Sequence, residues 1–308
     1  MKAHDPSRTA EHNALFRAIE YARRPGERVV NDWIAKEFLT PPFRFVAGLS
    51  RNRICSALLC KYIDLRWPGS RTSLIARTRL IDNYVASAVA NGIQQIVLLG
   101  AGFDSRAYRI AGAEHTRFFE VDHPNTSRVK KAHIARVLGA LPDHVKYVAV
   151  DFQRDRLPDS LQGAGFNPLE RSLFVWEGVS NYLTEDAVRS TLSYIGSLSQ
   201  GTALVFTYVD RAVLDDPAHF IGGSEVQKAI VRLKEPWTFG IPPTRAAGFL
   251  EECGLELNYD LSAAEYRKQC YKNAAQIKGY EFYHVVLAHV PMRTAYCQPN
   301  KAQEALIA

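Results

Sequence analysis

Cysteine is scarce in this sequence, and the few present form no motif. Cys55, Cys60, Cys253, Cys270 and Cys297 include no C-x-x-C pair and stand at no zinc-ligand spacing to histidine. That pattern counts against a structural zinc site or a disulfide framework, and scattered thiols suit a reducing compartment. Long apolar runs are absent too: nothing approaches the ~18 consecutive apolar residues of a membrane span. The opening stretch, MKAHDPSRTAEHNALF, has no apolar core of the secretory-signal kind. A cytoplasmic location without a membrane partner is expected. No Lys/Arg block is interleaved with aromatics, which counts against nucleic acid as a partner. Internal repeats and low-complexity linkers are also missing.

What is present suits a globular chain. Of 308 residues, 47% are hydrophobic and 23% charged, enough for one large core. The net charge of +6 is unevenly placed. Residues 1–80 carry fifteen Lys/Arg against seven Asp/Glu, and the remainder carries 23 against 25. A basic leading segment suits an acidic small substrate, an acidic partner or RNA; a solvated basic face reads the same way.

Apolar residues at Leu15, Phe16, Ile19 and Ala22 predict an amphipathic helix over 11–24, ended by Pro25-Gly26. A second helix is expected over 30–39 (VNDWIAKEFL), stopped by Pro41-Pro42, and a third over 50–64. A long helix follows at 72–92, with Leu74, Thr78, Ile81, Val85, Ala88 and Val89 on one stripe. Ser70 or Thr72 is placed to cap its start and Gly92 its end. Then the period changes. Short β-rich runs at 96–99, 117–121, 146–150, 173–176 and 203–208 alternate with helical patterns, notably 125–139 and 185–199. That alternation implies a parallel sheet with helices on both faces. Two later runs, 255–261 and 280–290, leave little room for a helix between them, so an antiparallel pairing is expected. Seven strands with a late antiparallel member depart from the six-strand dinucleotide fold.

Parallel sheets bind ligands beyond the carboxyl ends of their strands. The first strand ends in Gly100-Ala101-Gly102, the second in Asp122, the third in Asp151-Phe152 and the fourth in Glu177. Glycine lets a ligand approach the main chain. An acid about 20 residues past the loop is placed to take both ribose hydroxyls. Asp151 can accept from an adenine amino group, with Phe152 against the ring. Each residue also has a plain structural reading, as a turn or a cap. The dinucleotide fingerprint wants a third glycine, where this chain has Ser105, and Asp104 would repel a pyrophosphate. S-adenosylmethionine has an adenosine, a sulfonium and an amino-acid end, and no phosphate.

SLIARTRLIDNYVASAVANGIQQIVLLGAGFDSRAYRI, FFEVDHP, VDF and WEGVSNYLT, in this order and spacing, resemble the leucine carboxyl methyltransferase-like family. The likeness is nearest to its bacterial S-adenosyl-L-methionine-dependent O-methyltransferases. It runs from about residue 7 to 254 and is strongest over 74–186. The resemblance implies a class I methyltransferase-like Rossmann fold: an α/β, seven-stranded, mostly parallel sheet with one late antiparallel strand. A helical cap over 1–70 would pack on an S-adenosylmethionine-binding domain over 71–308, with a lid at about 210–235. It implies S-adenosyl-L-methionine as cofactor, with Arg77 of the R-T-x-x-x-D segment gripping its carboxylate and Asp82 closing that motif. The glycine loop (Gly100, Ala101, Gly102), the ribose acid (Asp122), the adenine-edge pair (Asp151, Phe152) and the fourth-strand acid (Glu177) complete the implied cofactor set. Trp33 stands where proline is expected, and Asn181 where relatives often carry an aromatic or small residue.

The implied reaction moves a methyl group to a small acidic acceptor. A carboxylate is already ionised and needs no general base, whereas a phenol or alcohol would need one. No triad-like constellation is visible, which favours a carboxylate. His123 could serve a hydroxyl acceptor or simply pack. Tyr182 and Tyr208 follow strands four and five and are expected to line the acceptor pocket. Arg106 is expected to clamp the glycine loop. Two other readings stand beside this one: an NAD(P)-dependent oxidoreductase, and a non-catalytic binding protein on the same fold.

Overall fold

The computed structural model describes residues 8–151, 155–233 and 235–292. The N-terminal part runs α1 (Arg8–Tyr21), α2 (Pro41–Leu49), α3 (Arg53–Arg66) and α4 (Ser70–Ala90). The first half of the sheet follows as β1 (Gln95–Leu99), α5 (Arg106–Arg109), β2 (Arg117–Asp122), α6 (Pro124–Leu138), β3 (Val145–Ala149) and α7 (Leu157–Gly163). The second half runs β4 (Ser172–Trp176), α8 (Glu185–Gly196), β5 (Ala203–Val209), α9 (Ala212–Asp215), α10 (Gly223–Leu233) and α11 (Ala246–Glu251). The last elements are β6 (Glu256–Ser262), α12 (Ala263–Cys270) and β7 (Tyr283–His289).

Among the described residues these strands form one seven-stranded sheet in the order β3-β2-β1-β4-β5-β7-β6. Only β7 runs against the rest, pairing antiparallel with both β5 and β6. β1 and β4 are buried along their whole length, because both faces are covered by helices. The edge strand β3 is less buried, with only Val145 and Val148 of its five residues fully covered. Strand order reverses between β1 and β4, which both pair parallel there, so their carboxyl ends open a crevice.

The N-terminal helices bury their apolar faces against this body. Leu15, Phe16 and Ile19 of α1 share a cluster with Leu74 and Ile75 of α4, Phe103 of the glycine loop and Ile134 of α6. Phe103 stacks on Phe38 at 4.9 Å, which seats the loop against the N-terminal segment.

Four local expectations are corrected. Residues 30–39 form only a 3-10 turn at Ala35–Phe38, held by the buried Asp32 carboxylate, which accepts from the Ala35 N–H at 3.0 Å. Pro41-Pro42 starts α2 rather than stopping a helix: the first-turn N–H groups have no intrahelical partner, so proline loses nothing there. The long helix α4 is preceded by Gly69 in a left-handed conformation, with no side-chain cap; the Thr72 hydroxyl donates instead to Lys278 O at 2.6 Å. Between β6 and β7 a helix does fit, since α12 starts directly after β6, whose last residue, Ser262, is its N-cap in a Ser262–Glu265 capping box.

Candidate functional site

A cavity of about 600 Å³ opens at the carboxyl ends of β1, β2 and β4. Its floor is the loop after β1. Gly100 and Gly102 both have positive φ (65° and 43°), a region that disfavours a side chain. A Cβ on Gly100 would collide with Val179 Cγ2. The first glycine is therefore bare to admit a protein side chain from the loop after β4, as well as to turn the chain.

Asp122, at the end of β2, ties this loop down. Its carboxylate accepts from the Gly102 N–H and from the His123 N–H, the latter at 2.6 Å. Burial pushes the Asp122 carboxyl above its ordinary range, and those two N–H groups oppose the shift. His123 lines the cavity and caps α6, its Nδ1 accepting from the Asn125 N–H at 3.3 Å. Beneath the loop, buried Lys130 and Glu120 pair at 2.9 Å, and burial lifts the Glu120 carboxyl to about 7.

The other wall is a buried chain of alternating charges. Arg17 Nε donates to Asp32 at 2.8 Å, and Ser105 Oγ donates to the same carboxylate at 2.7 Å. Arg109 lies 3.7 Å from Asp32 and forks onto both oxygens of Asp82 at 2.7 Å. Asp82 also accepts from Arg106 Nε at 2.8 Å. Arg106 Nη1 then reaches Asp104 at 2.5 Å and Glu177 at 2.8 Å, and Glu177 accepts from Arg77 Nε at 2.8 Å. Four guanidiniums face four carboxylates, so the chain is neutral. Burial pushes the Glu177 carboxyl up, but Arg106 and Arg77 outweigh it and hold the group below the ordinary range. For Asp104 the same contest ends lower still, at about 2.

The structure thus brings Arg77, Gly100, Ala101, Gly102, Asp122, Asp151 and Glu177 to one cavity, with His123 and Tyr182. Burial pushes the Tyr182 phenol up to about 12, so it stays protonated at neutral pH. Phe152 lies outside the described residues. Tyr208 is corrected. It is fully buried in the sheet's core, donates to Asp260 at 2.6 Å and stacks on His284 at 4.9 Å, away from the cavity. Tyr208→Phe is expected to cost about 1–2 kcal/mol in urea unfolding, because Asp260 loses a buried donor. S-adenosylhomocysteine affinity should not move in isothermal titration; a tenfold loss would return Tyr208 to the site.

Sequence reasoning missed Thr9, Asn13 and Glu235, which also line the cavity; Arg17, one of several arginines of the basic leading segment that could pair an acidic acceptor, lines it too. Thr9 Oγ1 donates to Glu235 at 2.5 Å, so the start of α1 meets the segment after α10. No local signal marks these residues, since 226 positions separate that pair.

The loop is built against phosphate. The helix behind it, α5, is a single turn, and its first N–H, from Arg106, is already taken by Asp104 at 2.7 Å. A dinucleotide site needs that helix end free.

Residues 10–196 match the family model for leucine carboxyl methyltransferase. This chain belongs to that family. A relative from Frankia alni, provisionally named an S-adenosyl-L-methionine-dependent methyltransferase, is 34% identical over 67% of this chain and 70% of its own. One from Streptomyces coelicolor with the same provisional name is 38% identical over 46% of this chain; that match spans half the relative's length. In fold the chain is similar to the crystal structure of a provisionally named methyltransferase from Thermobifida fusca. That superposition has a TM-score of 0.61 and 14% identity, covering 94% of this chain and 97% of the other. The protein is an S-adenosyl-L-methionine-dependent methyltransferase. Its lining suits that phosphate-free cofactor: carboxylates at the ends of β2 and β4, a guanidinium beside one of them, and a loop closed to phosphate.

Proposed function

We propose that the enzyme methylates an oxygen of a small acidic acceptor, a carboxylate, to give a methyl ester. S-adenosyl-L-methionine, when bound, supplies an electrophilic methyl group on a sulfonium. Asp122 would hold the ribose hydroxyls, using the lone pairs left after its two N–H bonds. Asp151 would take the adenine edge. Glu177 would take the ammonium, and Arg77, already fixed on Glu177, the carboxylate of the same amino-acid end.

The observation that carries the acceptor class is the commitment of four candidate bases in the described lining. Glu177 is bound by two arginines, Asp122 by two N–H groups, His123 Nδ1 by Asn125, and Glu235 by Thr9. A carboxylate needs none of them, being ionised at neutral pH. Its rate enhancement then comes from alignment and exclusion of water. The family's name, which is that of a methyltransferase acting on a leucine carboxyl group, agrees. Arg17 is the cation we assign to the acceptor's charge. Its Nε and Nη2 are used by Asp32 and the Phe103 carbonyl, leaving Nη1 without an acceptor among the described residues.

In the same reading, residues 1–70 act as a cap and 210–235 as a lid over the acceptor. The Thr9–Glu235 hydrogen bond supports this by joining the two across the cavity. With a radiolabelled methyl donor and a panel of small carboxylic acids and phenols, the labelled product should be an ester. It should release its methyl group as methanol in mild base. A base-stable ether made from a phenol would overturn the acceptor class while leaving the methyltransferase intact.

A further inference from the structure

Helix α3 carries apolar side chains on two opposite faces. One face, with Ile63, Leu59 and Cys60, packs into the N-terminal core. The other faces water: Ile54 is 72% exposed, Leu58 64%, Tyr62 61% and Leu65 80%. At about 100° per residue these four fall within about 80° of one another, so they form one ridge. On α2, Phe45 (69%) and Leu49 (42%) stand one turn apart and are exposed as well. Large exposed apolar residues scattered singly need no explanation, but this many on two successive helices do.

The charges that flank the ridge on α3 are basic. Lys61 and Arg66 lie on its two sides, and Arg44 and Arg51 stand nearby in sequence, while Arg53 pairs with Glu27 at 3.6 Å. The one acidic residue of 41–66, Asp64, is taken by Arg71 at 2.6 Å. We infer that the exposed ridge of α3 is a docking face for an anionic lipid bilayer. The ridge would enter the boundary between headgroups and acyl chains, with Lys61 and Arg66 reaching the headgroups on either side. A second copy fits less well, because a twofold contact would set this basic face against itself. The expected absence of a membrane partner rested on the lack of a spanning run, and that has no bearing on a helix lying in the surface. Since α2 packs on α1 through Phe43 and His12 (5.4 Å), docking would bring the helix that walls the cavity close to the bilayer.

The test is co-sedimentation of the full-length protein with vesicles of phosphatidylcholine alone or mixed with phosphatidylglycerol. Binding should be at least about tenfold stronger to the mixed vesicles and should weaken with added salt. Lys61→Glu with Arg66→Glu should reduce it by about twentyfold or more, near fivefold for each cation lost. Leu58→Ser with Leu65→Ser should also lower it at least tenfold, with melting temperature and S-adenosylhomocysteine binding unchanged. Equal binding to both vesicle types, or no loss in either double variant, would overturn the assignment. So would a solution dimer that Leu58→Glu converts to monomer, which would give the face to a second copy.

Discussion

Arg106→Met is expected to destabilise the fold by about 3–5 kcal/mol, lowering the melting temperature by about 10 °C. One guanidinium, 3% exposed, here serves three carboxylates: Asp82 through Nε, and Asp104 and Glu177 through Nη1. Methionine fills much of the volume and leaves those acids facing each other in a buried site. Breaking a buried pair from one side costs far more than the pair contributes, because the remaining charge is uncompensated. Arg106→Lys should fall between the two, since a point charge cannot fork onto three partners. The pH dependence gives an independent check. Asp104 and Glu177 have lowered values in the folded state. Groups of that kind add stability above their unfolded values, near 4, and lose it as pH falls through the folded ones. For Asp104 the window ends at about 2. The wild type should therefore lose stability steeply between about pH 4 and 2, and Arg106→Met should show a shallower acid limb. A variant within about 1 kcal/mol of wild type would mean the three acids find compensation elsewhere.

Much of this architecture was legible because the physics is local. A strand buried on both faces has to be apolar throughout, so IVLL and LFVW declared themselves. The acids at the ends of β2, β3 and β4 were readable because a parallel sheet puts all its carboxyl ends on one edge. Tyr208 shows where that reasoning stops. In a strand with both faces covered, hydropathy does not alternate, so it cannot say which face a residue takes. Arg77, Asp82, Arg106 and Glu177 were singled out in the sequence, but their pairing into one charge chain was out of reach for a different reason. Asp32 meets Ser105 across 73 positions, and Arg77 meets Glu177 across 100. Nothing at either end says that a surface-type residue is destined for the interior. The same long-range demand explains 30–39: its apolar pattern fits a helix, but Asp32 is pulled into the network and the segment bends around it. Pro41-Pro42 misled because proline both ends and begins helices, and only the following residues decide which.

Asp122→Ala is expected to weaken S-adenosylhomocysteine binding by two orders of magnitude or more in isothermal titration. Two effects act together. A carboxylate that accepts two hydroxyl hydrogen bonds is worth about 1.5–3 kcal/mol for each, and alanine loses both. The same carboxylate accepts from the Gly102 N–H, so its removal also frees the loop on which the ligand would rest. Asp122→Asn separates the effects. Its amide oxygen can still accept from Gly102 while the charge is lost, so it should recover part of the affinity. Acid should mimic the mutation: because burial raises the Asp122 carboxyl, protonation begins at a higher pH than for an ordinary aspartate. Wild-type affinity should therefore fall on acidification before the fold loses its acid-limb stability, and Asp122→Asn should lack that fall. If Asp122→Ala bound S-adenosylhomocysteine as the wild type does, the ribose would have to lie elsewhere, and the assignment of the β2 end to the cofactor would be wrong.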